Sequence, residues 1–268
     1  MPEAGYLSAR ILVRGASTVG WSGRMKGPRS HLGFPRVVER ELVAGGQPAE
    51  VRSFTVGGMP TSEVVRTWER DVVGWSPDVV IYMVGHYETL HALWPNWLER
   101  HANNFNWLPR TGRVRYRRSV LRPVWRALVK FQTLVDTRVP AALTRRRVRN
   151  AVKDVRHAVT QVREIQSPLV IVMEAPRPGS IARRLFPGMQ DRLDSYNRQV
   201  HEWVGELGDP EVRVFRTNAV LDAAVPDRDA ALPDGFHFSE VAHDAVGRAL
   251  TEAMSGWLRE QPHLRRTG

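Results

Sequence analysis

Cysteine is absent from all 268 residues. That absence excludes a disulfide framework, a cysteine–zinc site and a thiol nucleophile, and it accords with a reducing compartment. Long apolar runs are missing too: no stretch approaches the ~18 consecutive apolar residues of a membrane span. Met1 to Ser8 has neither the basic start nor the apolar core of a secretory signal. A cytoplasmic location is the expectation. Internal repeats, low-complexity tracts and an interdomain linker are also lacking, so a single domain over residues 1–268 is expected. His243 and Asp244 continue no metal-ligand spacing, and neither a metal nor a cofactor is expected.

Acidic residues are scarce in one place. From Arg110 to Arg156 only Asp136 and Asp154 oppose 15 Lys or Arg, a local net of +13 within a chain whose total is +11. The remainder carries 24 basic and 26 acidic residues, a net of −2. The positive charge therefore belongs to one segment and not to the whole surface, which argues against a general nucleic-acid binder.

What is present is a regular alternation. Arg10-Ile11-Leu12-Val13-Arg14 reads as a short buried strand, and Gly15-Ala16-Ser17 as a small-residue turn after it. Phe34 to Val43 has helical apolar spacing and stops at Gly45-Gly46. Val51 to Val56 alternates as a second strand and ends in Gly57-Gly58. Thr61 or Ser62 opens a helix, and Asp78 to Val84 forms a third strand that ends at Gly85. After an interruption, Ala141 to Gln166 reads as a helix with valines on one face. Ser167 to Ala175 follows as a fourth strand around Leu169-Val170-Ile171-Val172-Met173, Met189 to Leu207 as a helix, Val212 to Phe215 as a fifth strand, and Ser239 to Leu258 as a closing helix. Strands alternating with helices predict an α/β fold with a mainly parallel five-stranded sheet between helical layers, its ligands beyond the carboxyl ends of the strands.

The interruption, residues 90–140, carries Trp94, Trp97, Asn103, Asn104, Phe105, Trp107 and then the arginines. It reads as an inserted, basic, helical lid, with Leu121, Trp125, Leu128 and Val135 on one helix face.

One constellation carries chemistry. In Leu232-Pro233-Asp234-Gly235-Phe236-His237-Phe238-Ser239, a carboxylate three residues before a histidine can bind one ring nitrogen and leave the other as a base. A hydroxyl is needed for it to activate. Ser17 supplies one on the same rim of the sheet.

With these residues the chain resembles an SGNH (GDSL-type) hydrolase. The first family block, Gly-Asp-Ser, appears as Gly15-Ala16-Ser17. The second block's glycine corresponds to Gly58, and the fifth block, Asp-x-x-His, to Asp234 and His237. The third block departs: where some members read Gly-His-Asn-Asp, this chain reads Gly85-His86-Tyr87-Glu88. The resemblance implies a flavodoxin-like three-layer sandwich and a serine-dependent esterase or deacylase. Ser17, His237 and Asp234 would be its triad, with an oxyanion hole from Ser17, Gly58 and the position of Tyr87.

Further substrate-binding candidates near the rim are His86, Glu88, Glu174 and Arg177. The substrate expected is a small-molecule or lipid-like ester. The arginines of the insertion suit phosphate or carboxylate, hence a CoA- or carrier-protein-linked acyl group or an anionic membrane surface. An acyltransferase would use the same triad. A binding module on this scaffold, holding nucleic acid or an anionic membrane through its arginines, is the reading from a different class.

Overall fold

The computed structural model describes residues 7–20, 30–55, 60–94, 97–98, 101 and 109–264. Gly58 and its loop, and Asn103, Asn104, Phe105 and Trp107 of the insertion, lie outside the described residues. Five strands build the sheet: β1 (Ala9–Gly15), β2 (Ala49–Thr55), β3 (Val79–Met83), β4 (Leu169–Met173) and β5 (Val212–Phe215). All neighbours are parallel and the order is β2-β1-β3-β4-β5. This is the flavodoxin-like order, whose direction of winding reverses between β1 and β3 and opens a crevice there. The expected α/β/α sandwich is what the chain forms.

The helices bounded within the described residues are α1 (Phe34–Ala44), α2 (Thr61–Trp68), α3 (His86–Leu90), α4 (Arg110–Tyr116), α5 (Arg122–Arg138), α6 (Arg146–Ile165), α7 (Ser180–Leu185), α8 (Met189–Leu207), α9 (Thr217–Ala224), α10 (Arg228–Ala231) and α11 (Glu240–Glu260). Strand alternation divides the core into two layers. Leu12, Val80, Val170 and Val212 are register partners across the sheet and pack under α2, α6 and α8. Ile11, Val13, Ile81, Ile171 and Met173 face the other way, toward α1 and α11. β3 and β4 are buried at every residue because helices cover both faces. β2 is one of the two edge strands and buries only Val51 completely.

Boundaries moved where local chemistry overrode periodicity. The valine-faced helix begins at Arg146 and not at Ala141, because Pro140 is followed by a tight 3-10 turn, Ala141–Thr144. The helix of the insertion starts at Arg110 and runs on through one wide π turn, Arg117–Leu121, into α5. Pro123 lies two residues beyond that turn. A proline has no N–H for a helical bond, and the wider turn accommodates the break without ending the rod.

A buried ion pair fastens α5 to α8. Arg192, on α8, is fully buried and grips Asp136 of α5 through two bonds of 2.7 and 3.1 Å. Its Nε donates to the carbonyl of Thr89, on α3, at 2.7 Å. The same carboxylate accepts the backbone N–H of Gly188 at 3.2 Å. Nearby, the Gln132 amide donates to Leu90 O and the Thr133 hydroxyl to Leu185 O. One guanidinium thus joins three helices, one of which, α3, begins just beyond β3.

Removing one partner of such a pair strands a buried charge. Asp136→Asn is expected to destabilise the protein by about 3–5 kcal/mol in urea denaturation, whereas Asp136→Leu combined with Arg192→Met recovers most of that loss.

Candidate active site

β1 ends at Gly15, which lies opposite Met83 in the sheet. A Cβ there would stand 2.5 Å from the Met83 carbonyl oxygen and 2.5 Å from a methyl of Val19. Glycine is therefore required by close backbone approach at the mouth of the crevice. Immediately beyond it, Ser17–Val19 forms a single 3-10 turn, closed by Val19 N–H donating to Ala16 O at 3.1 Å. Ala16 is buried in the core, so the turn holds Ser17 at the sheet edge with its side chain half-buried.

Asp234 and His237 arrive from the loop before α11. Gly235 has φ of +86°, and a Cβ there would lie 2.6 Å from the Ala182 nitrogen, so position 235 also needs glycine. The turn brings two backbone N–H groups, of Phe236 and His237, onto Asp234 Oδ1 at 3.0 and 2.8 Å. Asp234 Oδ2 meets His237 Nδ1 at 2.7 Å. The loop ends at Ser239, whose hydroxyl caps α11 by accepting from Ala242 N–H.

His237 Nε2 lies 2.8 Å from Ser17 Oγ, across 220 residues of sequence. With the Nδ1 proton directed at Asp234, Nε2 is left to accept from the serine hydroxyl. Burial pushes Asp234 up, but the hydrogen bonds from the His237 ring and from the two backbone N–H groups outweigh it and bring the carboxyl down to about 2. Asp234 is thus ionised and oriented at neutral pH. The chain of contacts can draw a proton from Ser17 and stabilise the imidazolium that results.

Gly85 opens α3 with φ of +86°, and a Cβ there would collide with the ring of Tyr196. His86, next in the chain, is buried, and neither ring nitrogen has a hydrogen-bond partner among the described residues. Burial, with His237 and His91 nearby, lowers it to about 3, so its ring is neutral. It meets the edge of Phe236, inside the Asp-x-x-His loop, at 6.3 Å between centroids.

Tyr87 packs edge-on against His91 at 4.4 Å. His91 in turn stacks on Trp94 at 3.7 Å, and Trp94 abuts Trp125 of the insertion at 4.2 Å. Glu88 is buried, accepts the backbone N–H of Thr61 at the start of α2, and is raised by that burial. It therefore links the third block to the helix that follows the Gly58 loop.

The other two candidates lie in a separate network at the end of β4. Glu174 contacts His201 through Oε1 at 2.7 Å and accepts from Asn218 through Oε2 at 3.1 and 3.2 Å. Arg177 donates its backbone N–H to Asn218 Oδ1 and stands 3.9 Å from Asp194 and 3.7 Å from Asp222. What residue patterns alone did not single out is the aromatic cluster that joins the histidine loop to the insertion: Phe236, Phe186, His91 and Trp125 in succession. The density of tryptophan in that segment was its trace in the sequence.

Residues 15–245 match the model of the GDSL-like lipase/acylhydrolase family. The chain belongs to that family. It is accordingly a hydrolase of the esterase and acylhydrolase class. No curated protein matches it. Among solved structures it is similar to the lipase/acylhydrolase from Enterococcus faecalis, with 17% identity, 93% of this chain and 96% of that chain covered, and a TM-score of 0.60. A carbohydrate acetylesterase family member from Sinorhizobium meliloti superposes at 15% identity, 94% and 99% coverage and a TM-score of 0.57. For an acetyl xylan esterase from Geobacillus stearothermophilus the values are 17%, 93% and 95%, and 0.55. Among the described residues no helix is long and apolar enough to cross a membrane.

The buried histidines make stability fall with acid. His86 and His243 are both lowered to about 3 by burial. Unfolding returns each to a pKa near 6.5, so between these values the unfolded state binds more protons and stability falls as pH falls. His86→Leu is expected to remove about 2 kcal/mol of the wild type's loss of stability between about pH 7 and pH 5, measured by denaturant titration at each pH.

Proposed function

We propose that this GDSL-family hydrolase is a serine esterase that works through an acyl-enzyme formed on Ser17. The observation that carries the reading is the chain Ser17 Oγ–His237 Nε2–Asp234, with links of 2.8 and 2.7 Å at the crevice between β1 and β3. His237 takes the hydroxyl proton as Ser17 Oγ bonds to the ester carbonyl carbon, while Asp234 holds the imidazole and stabilises its charge. Collapse of the tetrahedral intermediate breaks the ester C–O bond, and His237 returns the proton to the leaving alcohol. Water then attacks the acyl-enzyme with His237 again as base, and the acid and free Ser17 are released.

The developing oxyanion is assigned to the backbone N–H groups of Ser17 and Gly58. The third position is that of Tyr87, whose ring lies against His91. The substrate class is a small-molecule or lipid-like ester. A CoA- or carrier-linked acyl donor suits the neighbouring arginines, and an alcohol in place of water at the second step would make the same site a transferase.

Hydrolysis of nitrophenyl acetate and longer nitrophenyl esters tests the assignment. Ser17→Ala is expected to lower turnover by about 10⁴-fold or more, and a serine-reactive phosphonate to add its mass to Ser17 alone. Equal turnover by Ser17→Ala and wild type would overturn it. Tyr87→Asn, which restores the family's amide donor, is expected to raise turnover by about tenfold or more, read as kcat on the acetyl ester.

A further inference from the structure

The rod formed by α4, the π turn and α5 presents three sides, and among the described residues only one of them packs against the body of the fold. Leu121, Trp125 and Gln132 face the body and are buried or half-buried. On a second side Val120, Val124, Phe131 and Leu134 recur at intervals of four, seven and three, and are 43%, 39%, 56% and 45% exposed. That spacing lays them in one apolar stripe along ~21 Å of helix. A third side carries Arg122, Arg126 and Lys130 at successive intervals of four, all exposed. Residues 110–138 hold nine basic side chains and one acid, Asp136, which is consumed by Arg192.

We propose that this rod is an interfacial docking helix for an anionic lipid bilayer. The apolar stripe and the basic stripe lie next to each other, so a helix resting in the plane of the headgroups inserts Phe131 and Leu134 toward the acyl chains. Arg122, Arg126 and Lys130 then reach the lipid phosphates through their flexible stems. A second copy of the chain is a poor occupant, because pairing the stripes would bring two carboxylate-free basic rows together. An acidic protein would satisfy the arginines but calls for no continuous stripe of exposed Val, Phe and Leu. The helix is also continuous with the catalytic rim: Trp125 meets His91, and His91 meets Tyr87. Docking would therefore hold the crevice beside the lipid surface. The inference deepens the lipid-ester reading of the substrate, but binding does not require Ser17 to be the nucleophile.

Vesicle flotation tests it. Vesicles of phosphatidylcholine alone are compared with vesicles of equal parts phosphatidylcholine and phosphatidylglycerol, and every variant is checked for an unchanged circular-dichroism melt. Wild type and Ser17→Ala are expected to float equally with the anionic vesicles, and neither with the neutral ones. Replacing Arg122, Arg126 and Lys130 together by Gln lowers the partition coefficient about 100-fold, at roughly fivefold per basic residue. Replacing Val124, Phe131 and Leu134 together by Ser lowers it by about tenfold or more.

Absence of flotation with either vesicle overturns the proposal. So does an apolar variant that floats like wild type, since the contact would then be electrostatic alone, as an acidic protein surface gives. A concentration-dependent dimer in sedimentation that Phe131→Ser dissolves assigns the stripe to a second copy and overturns it as well. Loss of ester turnover in Ser17→Ala with flotation intact separates the two sites.

Discussion

The carboxylate of Asp234 is the constraint on which the site depends. It accepts one ring N–H and two backbone N–H groups, and these three bonds do two jobs at once: they fold the Asp-x-x-His loop and they choose the tautomer of His237. A histidine so held offers Nε2 in one direction, and Ser17 stands in that direction, two residues beyond the Gly15 that the close approach of β1 and β3 requires. Burial alone would raise Asp234 and weaken the arrangement. The hydrogen bonds win, and the carboxylate stays charged through the neutral range.

Around this centre the fold uses neutral groups where charge would be costly. His86 and His243 flank the loop as uncharged rings, both held down by burial. Phe236, between the aspartate and the histidine, starts an aromatic path that passes through Phe186 and His91 to Trp125. The arginine-bearing α5 is thereby in packing contact with the loop that carries Asp234 and His237, and Arg192 also joins it to α3 by bonding Thr89 and Asp136 together. A hydrophobic contact could have supplied the burial. The bidentate pair adds a fixed register between α5 and α8.

Much of this was legible in the sequence, for reasons that differ by element. The strand cores Val79–Met83 and Leu169–Met173 are unbroken β-branched and apolar runs, which a parallel sheet covered on both faces demands. Met189–Leu207 coincides with its sequence reading at both ends because Gly188 and Gly208 punctuate it. The short helices Ser180–Leu185 and Arg228–Ala231 left no trace, since one or two turns are too short to show a period. Tyr87 was recognisable as a departure from the family's third block, but its packing against His91 was not.

Sequence by itself determined the class of fold and the family and singled out Ser17, Asp234 and His237 as the proposed triad, because period-two and period-four patterning and short turn motifs are local properties of the chain. Tertiary structure alone decided that the serine and histidine meet at 2.8 Å over 220 residues of separation. It also decided which side of the arginine-bearing rod is buried and which is left to solvent. Both depend on how the two helical layers and the insertion settle against the sheet, a long-range packing outcome that no local pattern encodes.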